Sequence, residues 1–502
     1  MRYKVDPTQK QLFDMENHHF GRIALRRVRK GWQGIFRNTL LSLMPADEVG
    51  EAYCEQTGRP TKELYAMAGL VVIAELRGWR AEEAADAFMF DMSIQYALNQ
   101  GNHRVEISSR TVERYQRVFR EKDLAMAVFE RVTQELAKNL ELEVDKQRLD
   151  STHLFSNMAH FSRTQLMGAC IRRFLVQIKR HHNKEYAALG TEFLGRYARS
   201  EKRLFGSMDR AARQALRQQV AEDLLYLIER FASHAQISPR TTYKNMVRVF
   251  QEQCEVVEGK VAIRKKCGGR VMQNPSDPDA TYDGHKGPGY QVQLSETCDP
   301  ENAVQLITCA IPQTAADEDG DALQPVVDKL QMQGLKPKKI MADTLYGSDD
   351  NQRYCEKNGV ELIAPVRGPE PLGEAGTEKQ KRLAERRRRQ QTEEWQKEYR
   401  LRSALEGTNS CLKRRMGLGR LRVRGQRSVF HVILLKLTGW NILRAAAALQ
   451  KPEPRPRKPF RKATSGGIPW VTRAIRTFTA RFLAPYGGHR IELPLVPSTC
   501  SI

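Results

Sequence analysis

Tyr399, Arg402, Glu406 and Lys413 follow one another at intervals of three, four and seven residues. On an α-helix such steps return to nearly the same side. The spacing therefore predicts one helical face that presents a carboxylate among cations. Two aspartates upstream sit in strand-like settings, Asp150 in QRLDSTHLF and Asp343 in KKIMADTLYGS. Two strands and a helix give rigid support to three carboxylates, and rigid elements suit metal geometry. Hard divalent cations take oxygen ligands. Cutting a phosphodiester with water needs an activated nucleophile, a stabilised leaving oxygen and screening of the phosphate charge, and two Mg²⁺ ions about 3.5–4 Å apart meet all three needs.

Each residue also has an ordinary structural reading. An Asp before Ser-Thr is a common cap or turn residue, and Asp343 could simply end a strand before the Gly347 turn. Glu406 with Arg402 could be an intrahelical i,i+4 ion pair, a contribution of about 0.2–0.5 kcal/mol. What favours the chemical reading is the joint occurrence of the three carboxylates, in order, on a basic chain. Other reactive side chains lack companions. His18-His19 and His181-His182 have no second ligand pair nearby in sequence, and Cys267 has no partner base.

Composition points to a polyanionic partner. The chain has 502 residues, with 82 Lys+Arg against 59 Asp+Glu and a formal charge of +23. Phosphate neutralisation with counterion release then gives affinity for nucleic acid without sequence preference. The nine cysteines are irregularly spaced with no CxxC pair, a poor disulfide framework and a poor zinc site, so reduced cytoplasmic thiols are expected. The first twenty residues lack the apolar run of a signal peptide. The stretch SVFHVILLKLTGWNILRAAAAL carries Lys436 and Arg444 and reads as a core helix, so no membrane span is expected.

A chain of this length exceeds one ordinary domain. Residues 1–45 are basic and mixed. Residues 46–140 read as a helical unit. Leu64, Met67, Leu70, Val71 and Ala74 repeat at helical spacing, Gly78 is a stop, and a second helix begins near Ala81. A third helix follows Ser108 and Ser109 as caps. It carries Val112, Tyr115, Val118 and Phe119 on one side, with Arg110, Arg114, Arg117 and Arg120 interleaved. Three short helices with a basic last one fit a helix-turn-helix DNA reader, and equally a packing domain with a solvated basic face.

Residues 141–445 read as a mixed α/β domain. A strand around Asp150 precedes a helical insertion at about residues 163–250. Strands then recur in GYQVQLSETCD, AVQLITCAIPQT, KKIMADTLY and VELIAPVRG, with helices in DALQPVVDKLQMQG and SDDNQRYCEKNG. The run Arg386 to Arg389 reads by itself as a solvated helix face or tail. Residues 446–502 form a basic Pro/Arg-rich tail.

With these motifs in place, the chain resembles a bacterial insertion-sequence transposase of the DDE class, in the IS4/IS5/IS1182-like group. The resemblance rests on L-D-S-T at Asp150, A-D-T-x-Y-G-S at Asp343 and the YREK pattern Tyr399, Arg402, Glu406, Lys413. It covers roughly residues 45–445, including the helical unit around GRPTKELYAMAGLVV and the strand in HKGPGYQVQLSETCD. It implies an RNase H-like catalytic core. Asp150, Asp343 and Glu406 would be the catalytic, metal-binding triad. Tyr399, Arg402 and Lys413 would contact DNA, with Lys286 as a further phosphate contact. The implied cofactor is Mg²⁺, two ions, with Mn²⁺ able to substitute. The implied partners are double-stranded DNA, as terminal inverted repeats and target, and a second copy of the chain in a synaptic homodimer. The implied location is the bacterial cytoplasm, at the nucleoid. The implied function is metal-dependent strand cleavage at transposon ends followed by strand transfer. The rivals are an RNase H-like nuclease that cuts without joining and a catalytically silent DNA-binding descendant.

Overall fold

The computed structural model describes residues 1–9, 20–100, 106–198, 210–367 and 377–450. Met1–Lys451 form one compact unit. His18-His19 and the tail from residue 451 lie outside the described residues.

The N-terminal part is helical, as its periodicity predicts: α1 (Leu64–Arg77), α2 (Ala81–Phe90), α3 (Ser109–Glu121) and α4 (Leu124–Asn139). Helix α1 ends at Gly78, whose φ of 70° is a left-handed conformation that glycine adopts without steric cost. Ser108 caps α3 by accepting from the Thr111 amide, and Val112, Tyr115, Val118 and Phe119 are its buried side. Strand β1 (Lys146–Leu154) follows.

The insertion contains α5 (Arg163–His181), α6 (Arg210–Phe231) and α7 (Thr241–Gln253), and it has an apolar core of its own. It closes with a hairpin that the helical reading did not include, β2 (Cys254–Val257) and β3 (Lys260–Ile263). Glu258 and Gly259, with φ of 51° and 74°, make its two-residue turn. Positive φ at both central positions is the type I′ requirement of tight hairpins.

Next come β4 (Thr281–Asp283), β5 (Gly287–Thr297), β6 (Ile307–Thr314), α8 (Leu323–Met332), β7 (Lys339–Met341), α9 (Asp349–Lys357) and β8 (Glu361–Ile363). The sheet runs β4-β5-β1-β7-β8, with β6 also paired to β5. Strand β1 is antiparallel to β5 and parallel to β7, which is parallel to β8. The strand carrying Asp150 is thus central. Strand β5, buried along nearly its whole length, reads as a two-sided core strand.

The chain ends its described part with α10 (Glu378–Gln390), α11 (Glu393–Tyr399), α12 (Ala404–Arg415) and α13 (Gln426–Leu449). By length and composition α13 could cross a membrane, but 72% of its apolar window is buried inside the fold. It is a core helix, packed on α1, α4 and β6. The N-terminal helices, residues of β5 and β6, and α13 share one apolar core, so segments 46–140 and 141–445 meet in a common interior. A second cluster, with α8, α9, β7 and β8, contains Leu149 of β1 and Cys309 of β6.

The arginine run on α10 departs from the solvated reading. Within the run Arg389 pairs with Glu361 and Arg386 donates to the Gly347 carbonyl at 3.2 Å, and one turn before it Arg382 pairs with Asp349 at 2.7 Å. The run is docked because β8, α9 and the turn after β7 offer acceptors that lie far away in sequence.

Candidate active site

Alternation along β1 places Arg148 and Asp150 on the same face. The Arg148 guanidinium is buried. Its Nε donates to Glu296 Oε2 of β5 at 2.8 Å, and its Nη1 donates to the Leu401 carbonyl at 3.0 Å. Thr408 of α12 donates to the same Glu296 carboxylate at 3.0 Å. This buried ion pair fastens the segment from Leu401 to Thr408 to the sheet, and that segment carries Arg402 and Glu406.

One step along the face is Asp150. Arg402 Nη1 lies 3.7 Å from Asp150 Oδ2, and Arg402 Nη2 lies 3.3 Å from Glu406 Oε1. Arg402 therefore bridges the strand aspartate and the helix glutamate. It is held in turn by Tyr399, over whose ring it sits at 5.8 Å, while Tyr399 stacks on Trp395 at 4.8 Å. Tyr399 thus acts on Arg402 from behind, an indirect position that spacing alone does not show.

The single helix expected from Tyr399 to Lys413 is interrupted, because Arg400–Ser403 form a 3₁₀ turn between α11 and α12. The two helices are anchored separately. Lys339 of β7 pairs with Glu398 at 2.5 Å, and Thr408 is tied to Glu296. The tighter turn absorbs the mismatch, and its three-residue repeat aligns Tyr399 with Arg402.

Asp343 lies two residues beyond the end of β7, outside the strand that was expected to include it. Its Oδ1 accepts from the Leu345 amide at 2.8 Å, so it caps the short 3₁₀ turn Thr344–Tyr346. The capping reading and a place beside Asp150 hold together. The turn is held by a close approach at Gly347, where an added Cβ would meet the Pro365 carbonyl oxygen at 1.8 Å.

A fourth carboxylate was not anticipated. Asp319, buried in the run AADEDGDA, accepts from Ser151 Oγ and from Gln293 Nε2, each at 2.9 Å, and lies 3.3 Å from Lys286 Nζ. Tyr346, buried beside it, donates to Gln293. Asp319 sits in a four-acid stretch that reads as a solvated loop. Only the pairing of β1 with β5 brings its partners together.

The electrostatics follow from this crowding. Burial chiefly, then Asp343 and Asp319, push Asp150 up to about 6, against the Ser151 amide and Arg402. Asp343 is likewise raised, by burial first and by Asp319. Burial and then Lys286 lower Lys413, while burial and the two lysines bring His153 down to about 4, so its ring is neutral at pH 7. Lys286, Lys413, Glu406, His153 and Asn409 line an open pocket of about 650 Å³ beside Asp150.

The donor chemistry suits a hard divalent cation. Two partly buried carboxylates, Asp150 and Asp343, are held above their usual range, a cost that a bound cation relieves. Among the described residues no three His, Cys, Asp or Glu side chains are grouped closely enough to hold a metal ion. Glu406 is drawn to Arg402 instead, and its side chain is 66% exposed.

No curated protein and no solved structure matches the chain. Residues 266–442 match the family model of the transposase DDE domain, a span that includes Lys286, Asp343, Tyr399, Arg402, Glu406 and Lys413 but not Asp150, and the match supports a DDE transposase.

Proposed function

We propose that the protein cleaves DNA at the ends of its own mobile element, frees a 3′-OH there and directs that hydroxyl at a phosphate of target DNA. The observation that carries the proposal is the Arg402 bridge between Asp150 and Glu406, with Asp343 in the same electrostatic field. In this reading Asp150, Asp343 and Glu406 would hold the metal, with Glu406 freed from Arg402. Mg²⁺, when bound, supplies charge screening at the attacked phosphate and activation of the attacking oxygen. Lys286 and Lys413 hold the strand's phosphates at the mouth of the pocket, and Arg402, released from Glu406, offers its guanidinium to a phosphate oxygen. Tyr399 fixes the plane of that guanidinium.

The finer assignments belong to the same proposal: the IS4/IS5/IS1182-like group, an RNase H-like core, a cytoplasmic location and a homodimer that synapses two ends. The RNase H-like reading is supported by a sheet whose central strand bears Asp150, antiparallel to one neighbour and parallel to the other. The functional division into residues 1–45, 46–140, 141–445 and 446–502 is kept as part of it.

The test is excision and joining of a marked DNA flanked by the element's ends, comparing wild type with Asp343→Ala in Mg²⁺ and in chelator. Excision with joining by wild type, lost in the variant and in chelator, is the expected result. Cutting without joining would indicate a nuclease, binding without cutting a silent descendant, and equal cutting by Asp343→Ala a different site.

A further inference from the structure

At the C-terminal end of α12, a cleft of about 470 Å³ opens between the N-terminal helices and the loop that follows α12. Arg77, Arg80 and Arg120 enter it from the α1–α2 junction and α3. Arg414, Arg415, Arg420 and Arg422 enter it from the end of α12 and the loop. The one carboxylate in its lining, Glu75, lies 3.7 Å from Lys436 and is also felt by Arg120 and Arg422, so a single negative charge meets seven arginines and a lysine. Among the described residues no ion pair takes up Arg415 or Arg420, both exposed. The walls are fixed. Arg422 donates to the Gly78 carbonyl at 3.2 Å, and the backbone around Arg420 bridges to Phe155 just beyond β1. His431, 6% exposed, lines the cleft with an Nδ1 that has no hydrogen-bond partner.

Seven arginines around one cleft repel one another, and guanidinium groups suit a phosphate that would offset that repulsion. The position of the cleft identifies the anion. Arg414 and Arg415 are on the helix of Glu406, eight and nine residues further on, a separation of about 12–14 Å along its axis. DNA presents a phosphate on each strand about every 3.4 Å of helix axis, so this distance corresponds to roughly four base pairs.

We infer that this arginine cleft is a second DNA site, which grips the phosphodiester backbone of the duplex roughly four base pairs from the scissile phosphate. The inference rests on reading the carboxylate site as one that cuts DNA. It assigns the N-terminal helices a role through Arg77, Arg80 and Arg120: they clamp backbone together with the catalytic helix and read no base edge from this cleft.

The test uses the full chain with duplexes that carry one element end. One duplex extends well past the cleft and one stops short of it. Binding is measured in chelator over a range of NaCl concentrations, and cleavage in Mg²⁺. The double variant Arg415→Ala/Arg420→Ala should bind the long duplex at least tenfold more weakly. Its slope of log affinity against log salt should be shallower by about two, near 0.9 for each lost phosphate contact. It should bind and cut the short duplex as wild type does, and Arg415→Lys/Arg420→Lys should restore most of the slope. An unchanged slope on the long duplex, or an equal loss on both duplexes, would overturn the inference. A wild type that never cuts, with the slope loss intact, supports the cleft as a DNA site and overturns only the cleavage reading.

Discussion

At the scale of single residues, Asp150 is held in a state that costs stability. Its folded value of about 6 lies above the ordinary 3.8, so between those values the folded chain binds more protons than the unfolded one. Stability from this group therefore falls as pH rises through that window and stays low above it. Asp150→Asn should abolish cleavage yet stabilise the metal-free protein at pH 7.5 by on the order of 1–3 kcal/mol, with the gain fading near pH 4. Calorimetry at both pH values checks this, and a variant no more stable than wild type at pH 7.5 would refute it. At subsaturating Mg²⁺, where proton and metal compete for Asp150, cleavage should decline below a pH near 6. Removing the opposing cation with Arg402→Ala should move that decline to higher pH, which a pH–rate profile measures. Asp150, Asp343, Tyr399, Arg402, Glu406 and Lys413 could be singled out as candidates because their types and order are local signals. Asp319 and the Arg148–Glu296 pair were not, because their meaning depends on which strands become neighbours, and Ser151, Gln293 and Lys286 reach Asp319 only after β1 and β5 pair.

At the scale of elements, the site depends on how α12 is pinned to the sheet. Replacing Glu296 with Ala leaves the Arg148 charge buried and unpaired, a loss of about 3–5 kcal/mol for such sites. The expected result in denaturant unfolding is a loss of that size, and a change under 1 kcal/mol would mean that α12 is anchored elsewhere. Gly347→Ala forces a Cβ against the Pro365 carbonyl, so the turn holding Asp343 must shift. Overpacking of this kind costs about 1–3 kcal/mol. Cleavage should fall more than DNA binding, as parallel gel-shift and cleavage assays would show. The strong helices α1, α3 and α5 were legible from period and caps, Ser108 and Gly78 included. The β2–β3 hairpin was missed because its strands are four residues each and Glu-Gly is a weak turn signal beside Asn-Gly. The 3₁₀ break before α12 was missed because it answers two distant anchors, Lys339 and Glu296, that helical spacing does not register.

At the scale of the whole molecule, sequence reading divided the chain into successive segments, while the fold joins α1 to α13. Periodicity showed that α1 and α13 are both apolar; that they are each other's partners is a three-dimensional fact. They approach closely at Gly439, where an added Cβ would fall 2.8 Å from Leu76 Cβ. Gly439→Val should therefore weaken both halves at once, seen as a lowered single unfolding transition; two separate transitions would show that the halves are independent. The partnership has a consequence for synthesis. Residues near 76 leave the ribosome long before residues near 439, and at about 5–20 residues per second the interval is roughly 20–75 s. Throughout it α1 already has Phe36, Leu41 and Leu98 against Gly69, while the face around Leu76 still waits for α13. A chain broken before the α13 codons therefore keeps the N-terminal neighbours of α1 but leaves the Leu76 face open to solvent.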